Sequence, residues 1–378
     1  MSPFLTLAYK LLVTDRAKFA ALIVGLTFSV FLMVQMTSMF AGILQRASAT
    51  VFNTGATLWV MDPAVTTVAN SIPMPDYVLD AVRSMNGVRW AVPLFSGAAL
   101  VKLQSGVYQP VTVIGLDDTT LFGRPRLIAG QIEDIFADDA FIVVRDPEYA
   151  KLDSPALGTT FEINDHRGVI VGIAKVPISG LFGIPTLYTT YRRAIEDIPR
   201  PRYTLSYILV EPKSAADVPA IVAGVEALGY RALTAKGFVD HITAFYIYQT
   251  SLGTNILMMT VISFLVGLSI SGQTFYTFII ENLERFGALK AIGAKSRELV
   301  SIILFQSLLT SLTGYGLGVG LCALLVAVAK LRLPDYSSTI TYLNLVIALV
   351  MVLVIAAVSG YVGVRKVIRV EPFDIFRA

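Results

Sequence analysis

The chain has 378 residues, a net charge of +3 and a mean hydropathy of +0.68, with 55% hydrophobic and only 15% charged residues. Soluble domains carry about 25% charged residues, so a wholly water-soluble chain is excluded and much of the apolar surface must face lipid. The small net charge says little about partners, but there is no long basic run of the kind nucleic-acid binders show, so no nucleic-acid partner is expected, and the single cysteine, Cys322, leaves no intrachain disulfide to form.

Four stretches meet the length of about 20 apolar residues needed to cross a hydrocarbon core. The first runs over residues 19–44 and is taken as transmembrane helix 1 with a stalk, 19–45. Ala47-Ser48-Ala49 looks like a signal cleavage site, but a signal h-region has about 7–15 apolar residues and this run is longer. Residues 46–237 then read as a separate α+β domain. Every proline except Pro3, Pro334 and Pro372 falls between Pro63 and Pro219, and proline punctuates loops and breaks helices. Strand alternation marks 99–103, 111–115, 140–144, 169–173 and 206–210. Helical periodicity marks 75–85, with Tyr77, Val78, Val82 and Met85 on one apolar face, and 215–228.

That domain carries no catalytic set. The chain's two histidines are His166, in an expected hairpin turn after Asp165, and His241, beyond the domain in the stalk; with one histidine and no cysteine in the domain, no zinc site is expected. Asp117-Asp118 and Asp138-Asp139 read as turn residues. The spacings of common hydrolase motifs are absent.

Residues 238–281 read as a stalk leading into transmembrane helix 2. If continuous from 238 to 280, at 1.5 Å per residue, that helix spans about 65 Å, twice the hydrocarbon core; the alternative is a break near Gly253. Residues 282–298 form a short, charged, helix-prone loop. Within it Phe286, Leu289 and Ile292 are expected to share an apolar face open to a soluble partner. Gly293-Ala294-Lys295-Ser296 resembles the end of a phosphate-binding loop but is a near miss, since Ala294 intervenes and no strand precedes it. Any ATP hydrolysis must therefore come from another subunit. The third span, 299–329, carries the pairs Gly314/Gly318 and Gly316/Gly320, which suit close helix packing. The fourth covers 342–364. Ionisable residues are nearly absent from all four spans, which argues against an ion-driven carrier.

Lysine and arginine set the orientation. Lys10, Arg16 and Lys18 precede the first span, Arg285, Lys290, Lys295 and Arg297 lie between the second and third, and Arg365, Lys366, Arg369 and Arg377 follow the fourth. The loop between the third and fourth has only Lys330 and Arg332. The positive-inside rule puts both termini and the 282–298 loop in the cytoplasm and the 46–237 domain outside. Cysteines introduced at Gly106 or Asp165 should therefore react with an impermeant thiol reagent in cells stripped of any outer membrane, and one at Lys295 should not; labelling at Lys295 alone would invert the topology.

The loop segment Glu284-Arg285-Phe286-Gly287-Ala288-Leu289-Lys290-Ala291-Ile292-Gly293-Ala294 resembles the signature after the second span of MacB/FtsX-type permeases of ABC transporters, departing from it at Phe286 and Ala288. The tail Val370-Glu371-Pro372-Phe373-Asp374-Ile375-Phe376-Arg377 resembles their C-terminal motif, and Leu7-Ala8-Tyr9-Lys10-Leu11-Leu12 their amphipathic entry helix, here 1–18. Leu127-Ile128-Ala129-Gly130 through Val171-Gly172-Ile173 resembles part of the MacB periplasmic core. The size and the missing ATPase domain look most like the DevC branch.

The resemblance implies a membrane α-helical fold with four transmembrane helices, long stalks and a MacB-like extracytoplasmic α+β domain between helices 1 and 2. It implies a permease homodimer in a bacterial inner membrane, in contact with membrane lipids, with N- and C-termini cytoplasmic (tail 365–378) and the large domain periplasmic. A separate ABC ATPase subunit would dock on the coupling segment, at Glu284, Arg285, Phe286, Gly287, Leu289, Lys290, Ile292 and Gly293. DevC-like members are expected to work with a periplasmic membrane fusion protein and an outer-membrane channel. The implied activity is ATP-driven extrusion of an amphiphile such as a lipid, glycolipid, peptide or drug, with no cofactor and no enzyme activity in this chain. Two alternatives stand beside it: an FtsX-like signal transmitter that moves no substrate, and a haem exporter whose ligands would come from Tyr246, Tyr248, His241 or nearby methionines.

Overall fold

A computed structural model describes residues 3–14, 16–198, 205–333 and 336–368; the tail motif at 370–377 lies outside the described residues. In chain order the elements are α1 (Pro3–Thr14), α2 (Arg16–Ala47), α3 (Ala49–Thr54), β1 (Leu58–Met61), α4 (Tyr77–Arg83), β2 (Val88–Lys102), β3 (Tyr108–Leu116), β4 (Arg126–Gly130), β5 (Ala140–Val144), β6 (Thr160–Ile163), β7 (His166–Lys175), β8 (Thr186–Thr190), α5 (Tyr191–Asp197), β9 (Tyr207–Pro212), α6 (Val218–Ala227), β10 (Arg231–Thr234), α7 (Ala235–Ala244), α8 (Ser251–Glu281), α9 (Leu283–Ala291), α10 (Ser296–Arg332) and α11 (Tyr342–Ile368). They form two compact units, Met1–Gly42 with Leu252–Ala378, and Ile43–Ser251.

The Ile43–Ser251 unit is built on one ten-stranded sheet in the order β10-β1-β9-β2-β3-β8-β5-β7-β4, with β6 paired to both β2 and β7. The fifteen-residue β2 organises it. Its first half pairs with β9 and its second half with β3. Because β6 bridges β2 and β7, the strands β2, β3, β8, β5, β7 and β6 close into a small barrel. Closure removes sheet edges, and the interior is filled by apolar side chains including Phe95, Val113, Phe141, Val143 and Ile170. The open part of the sheet, β10-β1-β9 with the start of β2, is covered on one face by α4 and α6, through Val78, Val82, Ile221 and Val225. The opposite core gathers Trp59, Tyr207 and Phe238, with the Trp59 and Tyr207 rings edge to face at 5.5 Å.

The five alternating runs seen in the sequence overlap β2, β3, β5, β7 and β9. The hairpin at His166 is a two-residue turn: Asn164 and Asp165 both have positive φ, 45° and 68°, between the paired residues Ile163 and His166. That is the geometry in which asparagine and aspartate replace glycine in tight hairpins. In α4 the expected apolar face is partly wrong. Val78 and Val82 are fully buried, but Tyr77 is 61% exposed, because a residue one step along a helix turns about 100° away from its neighbour.

Among the described residues four helices are long and apolar enough to span a bilayer: Phe19–Ala47, Ser251–Glu281, Ser296–Arg332 and Tyr342–Tyr361. Leu26, Val30 and Met33 of α2 meet Phe275, Cys322, Val326, Val352 and Ile355 from the other three. Lipid offers no hydrophobic drive between helices, so polar groups and close packing hold such bundles. Ser29 Oγ donates to the Ser263 carbonyl at 2.7 Å, Ser307 Oγ to Ala356 at 2.6 Å, and Ser359 Oγ to Ser271 Oγ at 3.1 Å. The path from 238 to 280 is not one helix, contrary to the continuous form of the stalk. After α7 a π-helical turn, Phe245–Gln249, leads to Thr250 in an extended conformation (φ −120°, ψ 156°), and α8 starts at Ser251. Gly253 lies inside α8; the break falls three residues earlier, at the extended Thr250 that follows the π turn.

Candidate functional site

The α8–α10 connection is a folded elbow rather than a loop. Asn282, buried, starts it: its Nδ2 donates to the Phe278 carbonyl at 2.8 Å, and its Oδ1 accepts from Arg285 Nη1 at 2.9 Å. Glu284 in the first turn of α9 and Lys290 in the last complement the helix dipole. The helix stops at Gly293, φ +101°. There the Ala294 amide donates to Leu289 O at 3.0 Å and the Gly293 amide to Lys290 O at 3.1 Å, the double bond pattern of a Schellman C-cap. Lys295 N then donates to Glu298 Oε2 at 2.8 Å, capping the start of α10. The segment that looked like the end of a phosphate loop is thus a helix–helix turn.

Phe286 does not join an exposed apolar face. It is 1% exposed and sits, with Gly287 also buried beside it, among Ala8 and Leu12 of α1, Phe278 and Ile279 of α8, and Leu299 and Ile302 of α10. Leu289 packs on the same cluster, while Ile292 is 85% exposed. Residues i and i+3 lie close on a helix, but i+6 lies about 120° away from i. The apolar trio therefore splits into a buried root and an exposed tip. Glu284 and Arg285 are exposed along the outer face.

The glycines of α10 also divide. A Cβ on Gly314 would stand 2.6 Å from Leu26 Cβ, and one on Gly318 2.7 Å from Val30 Cβ and 2.8 Å from the Thr27 carbonyl, so this pair seats α10 against α2. A Cβ on Gly316 or Gly320 would meet no atom of another helix within 4 Å. Sequence reading missed a second close crossing. Gly25 faces Ile270 and Gly267 faces Ser29, and Ser29 bonds the Ser263 carbonyl, so Gly25/Ser29 on α2 meets Ser263/Gly267 and Ile270 on α8. The four-residue spacing of small residues was the available signal.

In the outer unit the acidic doublets behave as turn residues. Asp117 Oδ2 accepts from the Thr120 amide at 2.8 Å and its hydroxyl at 2.9 Å. His166 Nδ1 lies 3.7 Å from Asp197 Oδ1; burial pushes the Asp197 carboxyl above its ordinary value, with His166 and Arg193 opposing. His241 Nε2 is 3.0 Å from the Val65 carbonyl, Tyr246 is half-buried and Tyr248 is 82% exposed. Among the described residues no cluster of three or more His, Cys, Asp or Glu side chains stands ready for a metal. One ion pair, unread in the sequence, ties the last turn of α2 to the turn after β5: Arg46 Nη1 to the fully buried Glu148, 3.2 Å.

Against known proteins, residues 19–228 match the family described as MacB-like periplasmic core domain, and residues 256–372 the family described as FtsX-like permease C-terminal. An uncharacterized ABC transporter permease of Mycobacterium tuberculosis (strain CDC 1551 / Oshkosh) is 26% identical over 359 residues, 93% of each chain. A protein of Staphylococcus haemolyticus (strain JCSC1435) named as a hemin transport system permease, HrtB, is 27% identical over 146 residues, 39% of this chain and 40% of that one. The periplasmic region of MacB from Actinobacillus actinomycetemcomitans aligns at 12% identity with a TM-score of 0.36, covering 50% of this chain and 92% of that one.

Proposed function

We propose that this chain, which belongs to the MacB/FtsX-type family of ABC transporter permeases, takes its energy from a separate ATPase subunit docked on the α9 elbow. Two copies of the permease would sit over the ATPases, and elbow motion would pass into α8 and α10 and on to the outer domain, driving extrusion of an amphiphile. The observation that carries this reading is the elbow itself: an apolar root fixed in the membrane unit, a charged outer face and Ile292 presented at the tip. A rigid helix anchored at its base transmits a push, whereas a floppy loop absorbs it. A single exposed apolar side chain is common on protein surfaces; what supports a docking role for Ile292 is its place at the tip of a short charged helix between two membrane spans. Beyond the ATPase, a fusion protein and outer-membrane channel remain the partners that the DevC resemblance suggests.

Ile292→Ala tests the docking directly. Apolar anchors at interface centres cost about 2 kcal/mol or more when truncated, so ATPase recovered in a pull-down at matched expression should fall about 30-fold, with thermal stability of the permease unchanged. Full recovery with full transport would remove the elbow from the interface.

The relative named for hemin transport favours haem as one substrate to try. His241 is already held by Val65 O, which leaves Tyr248 as the freer ligand. A haem-binding spectrum lost in Tyr248→Phe would support that reading, and one unchanged in Tyr248→Phe would remove Tyr248 from it.

A further inference from the structure

We propose that one end of the barrel formed by β2, β3, β8, β5, β7 and β6 is a binding site for a small molecule carrying a single aromatic ring or short alkyl chain and a neutral or cationic head. A cavity of about 200 Å³ opens there. Its floor is apolar: Val101, Leu103, Leu152, Ile170 and Leu187 are buried, and Phe161 forms a wall. Small barrels normally fill their interior with side chains, and folded interiors leave few voids larger than a water molecule. For scale, an engineered apolar cavity of about 150 Å³ in another protein takes up benzene.

The mouth is built rather than frayed. Asp153 and Ser154, consecutive non-glycine residues, hold left-handed φ of 59° and 49°, a conformation that persists only where surrounding structure enforces it and that clusters at ligand clamps. Several bonds enforce it. The Asp153 amide donates to Ala150 O at 3.2 Å and the Ser154 amide to Tyr149 O at 3.3 Å. Ser105 Oγ donates to Asp153 Oδ2 at 3.0 Å, and the Tyr149 hydroxyl donates to the Pro155 carbonyl. Across the mouth Gln104 Nε2 donates to Thr160 O at 3.3 Å. These bonds hold the rim in place, and the polar residues of the lining, Gln104, Ser154, Thr159 and Thr160, are the groups available to a polar head. Asp153 is the one charged residue in the lining, and no lysine or arginine lines the cavity, so an anionic head is disfavoured. The site is independent of whether the bound molecule is later moved.

The test uses the full chain in lipid nanodiscs with two photoactivatable probes, an aryl-diazirine benzylamine and the matching benzoate. The benzylamine should label residues 152–170 saturably, be displaced by unlabelled benzylamine, and exceed the benzoate at least tenfold. Ala156→Trp, at an exposed rim position, should lower that labelling at least tenfold while the melting temperature holds, and Leu152→Phe, filling the floor, should do the same. Labelling that does not saturate, that survives both substitutions, or that is equal for the benzoate would overturn the proposal.

Discussion

Gly318→Leu should prevent stable assembly of the membrane unit, and Gly320→Leu, two residues away on the same helix, should leave it intact. At Gly318 even a methyl group would meet the Val30 side chain at 2.7 Å and the Thr27 carbonyl at 2.8 Å. The second neighbour is backbone, so no rotamer change relieves the clash and the helices must separate. Over-packing costs about 1–3 kcal/mol where the surroundings can shift; here the loss should reach or exceed the top of that range and take with it the cluster of Leu26, Val30, Cys322 and Val326. A Cβ on Gly320 would meet no atom of another helix within 4 Å, so leucine there gains helix propensity and meets no obstacle within this chain. The measurement is the melting temperature of each purified variant, with Gly314→Leu and Gly316→Leu as the parallel pair. Equal stability of Gly318→Leu and Gly320→Leu would show that the α2–α10 contact does not depend on the glycine.

The glycine ladder shows how far the sequence could be read. Its spacing announced close packing, but both pairs had the same spacing, and only the crossing with α2 decides which is used. Span positions, the outer α+β domain and its longer strands were legible because their periodicity follows from lipid exposure or from alternating burial. β1, β6 and β10, four residues each, were too short to show a period. Barrel closure was also hidden, because it depends on β6 pairing with two strands distant in sequence. Thr250 gave no sign of the break in the stalk: it is neither glycine nor proline, yet it takes an extended conformation after the π turn. For the elbow, composition correctly marked a charged helix but could not reveal that α1 folds back to cover Phe286. That cluster brings together residues nearly 280 apart in the sequence, Ala8 and Phe286.

Phe286→Ala and Ile292→Ala should separate along the two roles of the elbow. Phe286 is enclosed by side chains of α1, α8 and α10. Removing the ring leaves a cavity walled by three helices that cannot all relax, and buried Phe→Ala changes cost about 3–5 kcal/mol. That variant should melt well below the parent. It should also lose ATPase recovery, because the root no longer holds α9 at a fixed angle. Ile292 lies at the exposed tip, before the left-handed Gly293, and supports nothing beneath it. Its truncation should leave melting unchanged and reduce ATPase recovery alone. Phe286→Leu keeps most of the buried volume and should restore both properties in large part, as volume-conserving apolar exchanges usually cost less than about 1.5 kcal/mol. Melting curves and pull-down at matched expression, run on the three variants together, decide the matter. If Phe286→Ala melts like the parent yet fails to recover ATPase, Phe286 touches the partner itself, and the division into buried root and exposed tip is wrong.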